Sequence, residues 1–79
     1  MNGDLKDCGD DTWAGPTTSC PFAKNVRKKW FSVPEDSVEI DVYSPVTGQT
    51  YTMACVRSEE HVTCRGGNAA VVRFYVGGN

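Results

Sequence analysis

Val38-Glu39-Ile40-Asp41-Val42-Tyr43-Ser44-Pro45-Val46-Thr47-Gly48-Gln49-Thr50-Tyr51-Thr52-Met53-Ala54-Cys55-Val56 is the stretch from which the fold is read. Val38, Ile40 and Val42 alternate with Glu39, Asp41 and Tyr43, the period-two pattern of a strand with one face buried. Pro45-Val46-Thr47-Gly48 interrupts the alternation with residues that favour a turn. The pattern then resumes with Tyr51, Met53 and Cys55 on one face, against Thr50, Thr52, Ala54 and Val56 on the other. Toward the C-terminus, Arg57 to Glu60 is polar and turn-like, and His61 to Arg65 reads as a third, short strand. Gly66-Gly67-Asn68 offers residues able to take positive φ. Ala69 to Val76 is a final strand, with Ala70, Val72, Phe74 and Val76 facing one way and Val71, Arg73 and Tyr75 the other.

Toward the N-terminus the period lengthens. Thr18-Ser19-Cys20-Pro21 is a helix start, because proline suits the first helical position, where its missing N–H would have had no partner. Phe22, Ala23, Val26 and Trp30 then fall on one side of a helix of about ten to twelve residues at 3.6 residues per turn, a core-facing stripe. Lys24, Arg27, Lys28 and Lys29 point elsewhere, late enough to be favoured by the negative helix C-terminus. Ser32-Val33-Pro34 ends the helix, since the residue before proline is disfavoured in the α region. Residues 1–19 hold Gly3, Gly9, Gly15 and Pro16 with no sustained period, and read as an irregular arm anchored by Cys8 and Trp13. The expected fold is α+β: one N-terminal helix packed on a four-stranded antiparallel meander over residues 20–76, preceded by the arm, all in a single domain.

The chain has 79 residues, so its core is thin and it needs covalent help. Its four cysteines, Cys8, Cys20, Cys55 and Cys64, allow three pairings or a metal site. Structural zinc sites draw ligands in close C-x2-4-C pairs, whereas the gaps here are eleven, thirty-four and eight residues. A disulfide framework is the better reading, and the simplest pairing is sequential: Cys8 with Cys20, Cys55 with Cys64. That places the chain in an oxidising, extracytoplasmic compartment. No apolar run approaches the ~18 residues of a membrane span, and the first residues lack the apolar stretch of a signal peptide, so an export signal is expected to have been removed. A net charge of −2 speaks against general nucleic-acid binding.

Three long motifs, Thr18-Ser19-Cys20-Pro21-Phe22-Ala23-Lys24-Asn25-Val26, Ser44-Pro45-Val46-Thr47-Gly48-Gln49-Thr50-Tyr51-Thr52-Met53-Ala54-Cys55 and Val62-Thr63-Cys64-Arg65-Gly66-Gly67-Asn68-Ala69-Ala70-Val71-Val72, carry a resemblance across residues 8–76. The chain resembles a small extracytoplasmic domain of actinobacteria. Similar domains occur in mycobacterial secreted proteins and lipoproteins, at the outer ends of membrane serine/threonine kinases, and in the phages of these organisms. The resemblance implies location and paired cysteines; it brings no activity with it.

No residue set demands catalysis. His61 beside Glu59 and Glu60 reads as an exposed turn histidine without a convergent nucleophile, and no C-x-x-C is present to make a redox thiol. Asp7, Asp10 and Asp11 lack the twelve-residue calcium pattern and its closing Glu. Gly66-Gly67-Asn68 precedes a strand rather than a helix, so it is not a phosphate loop. The hydroxyl-rich Thr47, Thr50, Tyr51 and Thr52 could bind sugar or peptide, while strand propensity alone also explains them. The sharper candidate is on the helix, where Phe31 projects near Lys24, Arg27 and Lys28, an aromatic among cations opposite the core stripe; the other reading is that the helix frays before Phe31, which then turns inward. The expectation is a monomeric, non-catalytic binding or sensor module without metal or cofactor, whose partner is a cell-envelope component or a protein. A phage-encoded structural protein that self-associates along a sheet edge is the alternative.

Overall fold

The structure, a computed structural model, describes residues 5–33, 38–66 and 70–76. The molecule is mostly sheet. Six antiparallel strands, β1 (Lys6–Gly9), β2 (Thr12–Ala14), β3 (Glu39–Ser44), β4 (Gln49–Ser58), β5 (His61–Gly66) and β6 (Ala70–Tyr75), accompany one helix, α1 (Cys20–Trp30). They form a single sheet in the order β1-β2-β6-β5-β4-β3.

This corrects the expected four-stranded meander. The meander itself is β3 to β6, but the arm adds two further strands, with Thr12 facing Phe74, Trp13 facing Arg73 and Ala14 facing Val72. The hairpin that makes this possible turns on Asp10 and Asp11, both at positive φ, between the facing residues Gly9 and Thr12. A two-residue hairpin loop with positive φ at both positions matches the right-handed twist of the strands it joins, and aspartate tolerates that conformation better than most residues. Thr12 and Ala14 are buried on the helix side, with Trp13 between them on the other side. A strand of three residues is too short to show a period.

The helix starts and ends where the sequence places it. Ser19 caps it, its hydroxyl oxygen accepting the Phe22 N–H at 3.3 Å, with Pro21 in the first turn. Phe22, Ala23, Val26 and Trp30 are all buried against the sheet. There they meet Ile40, Val42, Met53, Cys55, Val62, Cys64, Val72 and Phe74, which supply the helix-facing side of the strands. Val38 departs from the expected alternation. It lies before β3 and is 68% exposed, although its carbonyl still accepts the Cys55 N–H at 2.7 Å. Pro34, Gly67, Asn68 and Ala69, read as a helix stop, a turn and a strand start, lie outside the described residues.

Two disulfides are present, Cys8–Cys20 and Cys55–Cys64, the sequential pairing. The first ties β1 to the start of α1. The second joins residues directly opposite each other on β4 and β5. Because Cys55 gives its N–H to Val38 on the other side, Cys55 and Cys64 form a non-hydrogen-bonded pair, the kind in which facing backbones approach closest. Their Cα atoms are 4.0 Å apart.

Gly66 faces Met53 across the β4–β5 ladder, and a Cβ placed on it would collide with the Met53 sulfur and stand 3.2 Å from the Thr52 carbonyl oxygen. Gly66→Ala should cost about 1–3 kcal/mol, the usual range for overpacking, and pairing it with Met53→Ala should recover part of the clash energy. Urea unfolding of the two variants and the parent checks this; a Gly66→Ala midpoint equal to the parent's would refute it.

Candidate functional site

The helix covers one face of the sheet, which leaves two surfaces able to meet a partner: the outer side of α1 and the opposite face of the sheet. On α1, Lys24, Arg27 and Lys28 lie away from the core stripe and Phe31 occupies the C-cap with φ −75°. The helix holds its form to this point, since the Phe31 N–H donates to the Arg27 carbonyl at 3.2 Å. Phe31 is 55% exposed. Its inner edge rests on Phe74, ring centroids 6.2 Å apart, and the Arg27 guanidinium carbon stands 5.2 Å from its ring centroid. An aromatic held from below by another ring and from the side by a guanidinium has little freedom to turn inward.

The four residues are not one cluster. Arg27 and Phe31 are in contact. Lys24 reaches toward Asp10 in the β1–β2 turn, 3.8 Å away, with both side chains substantially exposed. Lys28 stands on the other flank, lining a shallow depression between α1 and β3 with Asn25, Lys29, Asp41 and Tyr43. The helix face is therefore a cationic band with Phe31 at its C-terminal end, extended by Lys29. Arg27 is half-buried, and its Nε has no hydrogen-bond partner among the described residues.

The second surface was not read from the sequence. Trp13, His61, Arg73 and Tyr75 alternate with buried neighbours and so emerge together on the uncovered face of the sheet. His61 is not an exposed turn residue. It is half-buried at the start of β5, its ring 6.2 Å from Trp13 and 5.5 Å, edge to face, from Tyr75. Strand register would have revealed this, because His61 faces Tyr75 while Trp13 faces Arg73, but only once β2 is known to pair with β6.

The edges of the sheet are guarded. β1 is short and carries an irregularity between Asp7 and Gly9. On β3, the Val38–Cys55 bond sets the alternation so that Glu39, Asp41 and Tyr43 turn their backbone groups outward. The Asn25 side-chain amide occupies the Tyr43 carbonyl at 3.0 Å, and Glu39 and Asp41 add negative charge. Elsewhere, Asp10 and Asp11 share one end of the sheet with Glu59 and Glu60, whose carbonyls at positions 11 and 60 accept the N–H groups of Tyr75 and Val76. Among the described residues no group of three His, Cys, Asp or Glu side chains is arranged to hold a metal ion. Nor is any helix long and apolar enough to cross a membrane.

Comparison with family models, with curated proteins and with solved structures gave no match to this chain.

The geometry separates two cations that the sequence treats alike. Arg27→Ala removes both the guanidinium over Phe31 and the packing of its stem, and should cost about 1 kcal/mol. Lys24→Ala breaks only an exposed ion pair and should change stability by less than ~0.5 kcal/mol. Thermal unfolding of both variants decides; equal losses, or a larger loss for Lys24→Ala, would contradict the placement of Phe31.

Proposed function

We propose that this chain is a non-catalytic extracytoplasmic binding module that recognises an anionic component of the cell envelope, or an anionic face of a partner protein, through the outer side of α1. The observation that carries this reading is Phe31, an aromatic more than half exposed at the helix C-cap, braced by Phe74 and Arg27. Large exposed aromatics cost free energy in water unless something covers them, and aromatic and arginine side chains are the residues on which interfaces most often depend. The cations Arg27, Lys28 and Lys29 on the same helix supply the charge preference. The two disulfides fit an oxidising or extracellular environment, where a domain with so thin a core gains most from them. The resemblance to actinobacterial extracytoplasmic domains supports the same setting.

Self-association along a sheet edge is the weaker reading. Pairing β3 with β3 of a second copy would bring Glu39 and Asp41 of both chains close together, and like charges across a ladder destabilise it.

The test is retention on purified, salt-washed cell envelope. Replacing Lys24, Arg27 and Lys28 together by Glu should lower retention at low salt at least about tenfold, taking about 1 kcal/mol per basic side chain near an anionic surface. Phe31→Ser should weaken retention with less change in its salt dependence. Retention by the triple variant equal to that of the parent would sink the proposal.

A further inference from the structure

The uncovered face of the sheet carries a second site, independent of the helix. Leu5, Trp13, His61 and Arg73 line a shallow depression there. Its ring wall is built by the strands: Trp13 on β2, His61 on β5 and, edge to face behind it, Tyr75 on β6. Arg73 stands directly across the ladder from Trp13 and is itself half-buried. Neither the Arg73 guanidinium nor the His61 ring has a hydrogen-bond or ion-pair partner among the described residues. Arg65 projects from the same face one strand over, two residues further along β5 than Thr63, which faces Arg73. Among the described residues, none that lines the depression is acidic.

These features select a ligand by its chemistry. A half-buried guanidinium with no partner among the described residues favours a planar anion that can take two of its N–H groups, as a carboxylate does. A flat indole beside it offers an apolar surface to a compact ring. The strands that bear the site are all interior, β2 between β1 and β6, and β5 between β6 and β4, so their backbone groups are already paired. An extended peptide therefore cannot add as a strand at this place, and a ligand must be held by side chains alone. We infer that the Trp13–His61–Arg73 depression binds a saccharide ring carrying a carboxylate: the ring's C–H face lies on the indole, the carboxylate accepts from the Arg73 guanidinium, and His61 hydrogen-bonds a ring hydroxyl.

The two tryptophans make the test direct, because Trp13 lines the site and Trp30, on the helix, is buried against the opposite face of the sheet. Labelled protein is titrated with glucuronate, with glucose, with acetate, with inorganic phosphate and with a short oligogalacturonate, and both indole N–H resonances are followed by NMR. Glucuronate should move the Trp13 resonance and leave Trp30 in place. Glucose and acetate, each carrying half of the recognised chemistry, should bind at least about tenfold more weakly, and Arg73→Gln should weaken glucuronate by a similar factor. Tighter binding of the oligomer than of the monomer assigns the ligand to a polymer; equal binding assigns it to a free sugar acid. Three results would overturn the inference. They are no Trp13 shift up to about 10 mM glucuronate, well above a millimolar dissociation constant, an equal response to acetate or phosphate, and unchanged glucuronate binding by an Arg73→Gln protein whose Trp30 resonance and thermal midpoint match the parent.

Discussion

The backbone pairing of β2 with β6 is the constraint on which one side of this molecule depends. Without it, β6 would be an edge strand with a row of unpaired N–H and C=O groups, and Val72 and Phe74 would lose the cover of Ala14 and Thr12. The pairing is extended at both ends by the Gly15 N–H bound to the Val71 carbonyl at 2.9 Å and the Tyr75 N–H bound to the Asp11 carbonyl at 3.0 Å. Thr18, buried, adds a side-chain acceptor for the Val71 N–H at 3.0 Å. A strand of three residues has little intrinsic stability. Here it is held from two sides, by this ladder and by the Cys8–Cys20 bond that fixes β1 to the helix start. The loop so closed is short, and closing it is worth roughly 3 kcal/mol by chain-entropy reasoning, enough to order an arm of this size.

The same constraint sets up both surfaces. It carries Asp10 to within reach of Lys24, which leaves Arg27, Lys28 and Lys29 as the less compensated cations of the helix. It also brings Trp13 onto the uncovered face beside Arg73 and His61, residues that lie 60 and 48 positions away in sequence. A four-stranded meander would have left β6, with Arg73 and Tyr75, at a bare border; β2 and β1 make that border an interior. The helix side is cationic, while the sheet side carries a shallow, aromatic depression. They face opposite ways, so occupation of one does not obstruct the other.

Much of the architecture was legible because it rests on repeated local signals. Ser19, Pro21 and the Phe22-Ala23-Val26-Trp30 stripe specify the helix by capping and period, and all four stripe residues are buried. Ile40 and Val42, Met53 and Cys55, Val62 and Cys64, and Val72 and Phe74 reveal four strands by alternation, and all of them are buried too. The arm was illegible for a physical reason. Lys6–Gly9 and Thr12–Ala14 are shorter than the span over which alternation can be told from chance, and Asp10-Asp11 lacks the glycine that usually marks a tight hairpin. Missing that hairpin meant missing the Trp13 surface, since no local feature links Trp13 with His61. Phe31 was visible as an aromatic among cations, but its bracing by Phe74 needed the helix-to-sheet packing angle, which pattern alone does not contain.

The central claim is that the arm, through Lys6–Gly9 and Thr12–Ala14, is part of the sheet, and amide hydrogen exchange on the disulfide-intact protein tests it most directly. The account predicts that the N–H groups of Gly15 and Tyr75, which close the β2–β6 ladder, exchange as slowly as those in the interior of β5, within one cooperative unit. Exchange of these amides at the rates of an unstructured peptide, while β4 and β5 stay protected, would contradict it.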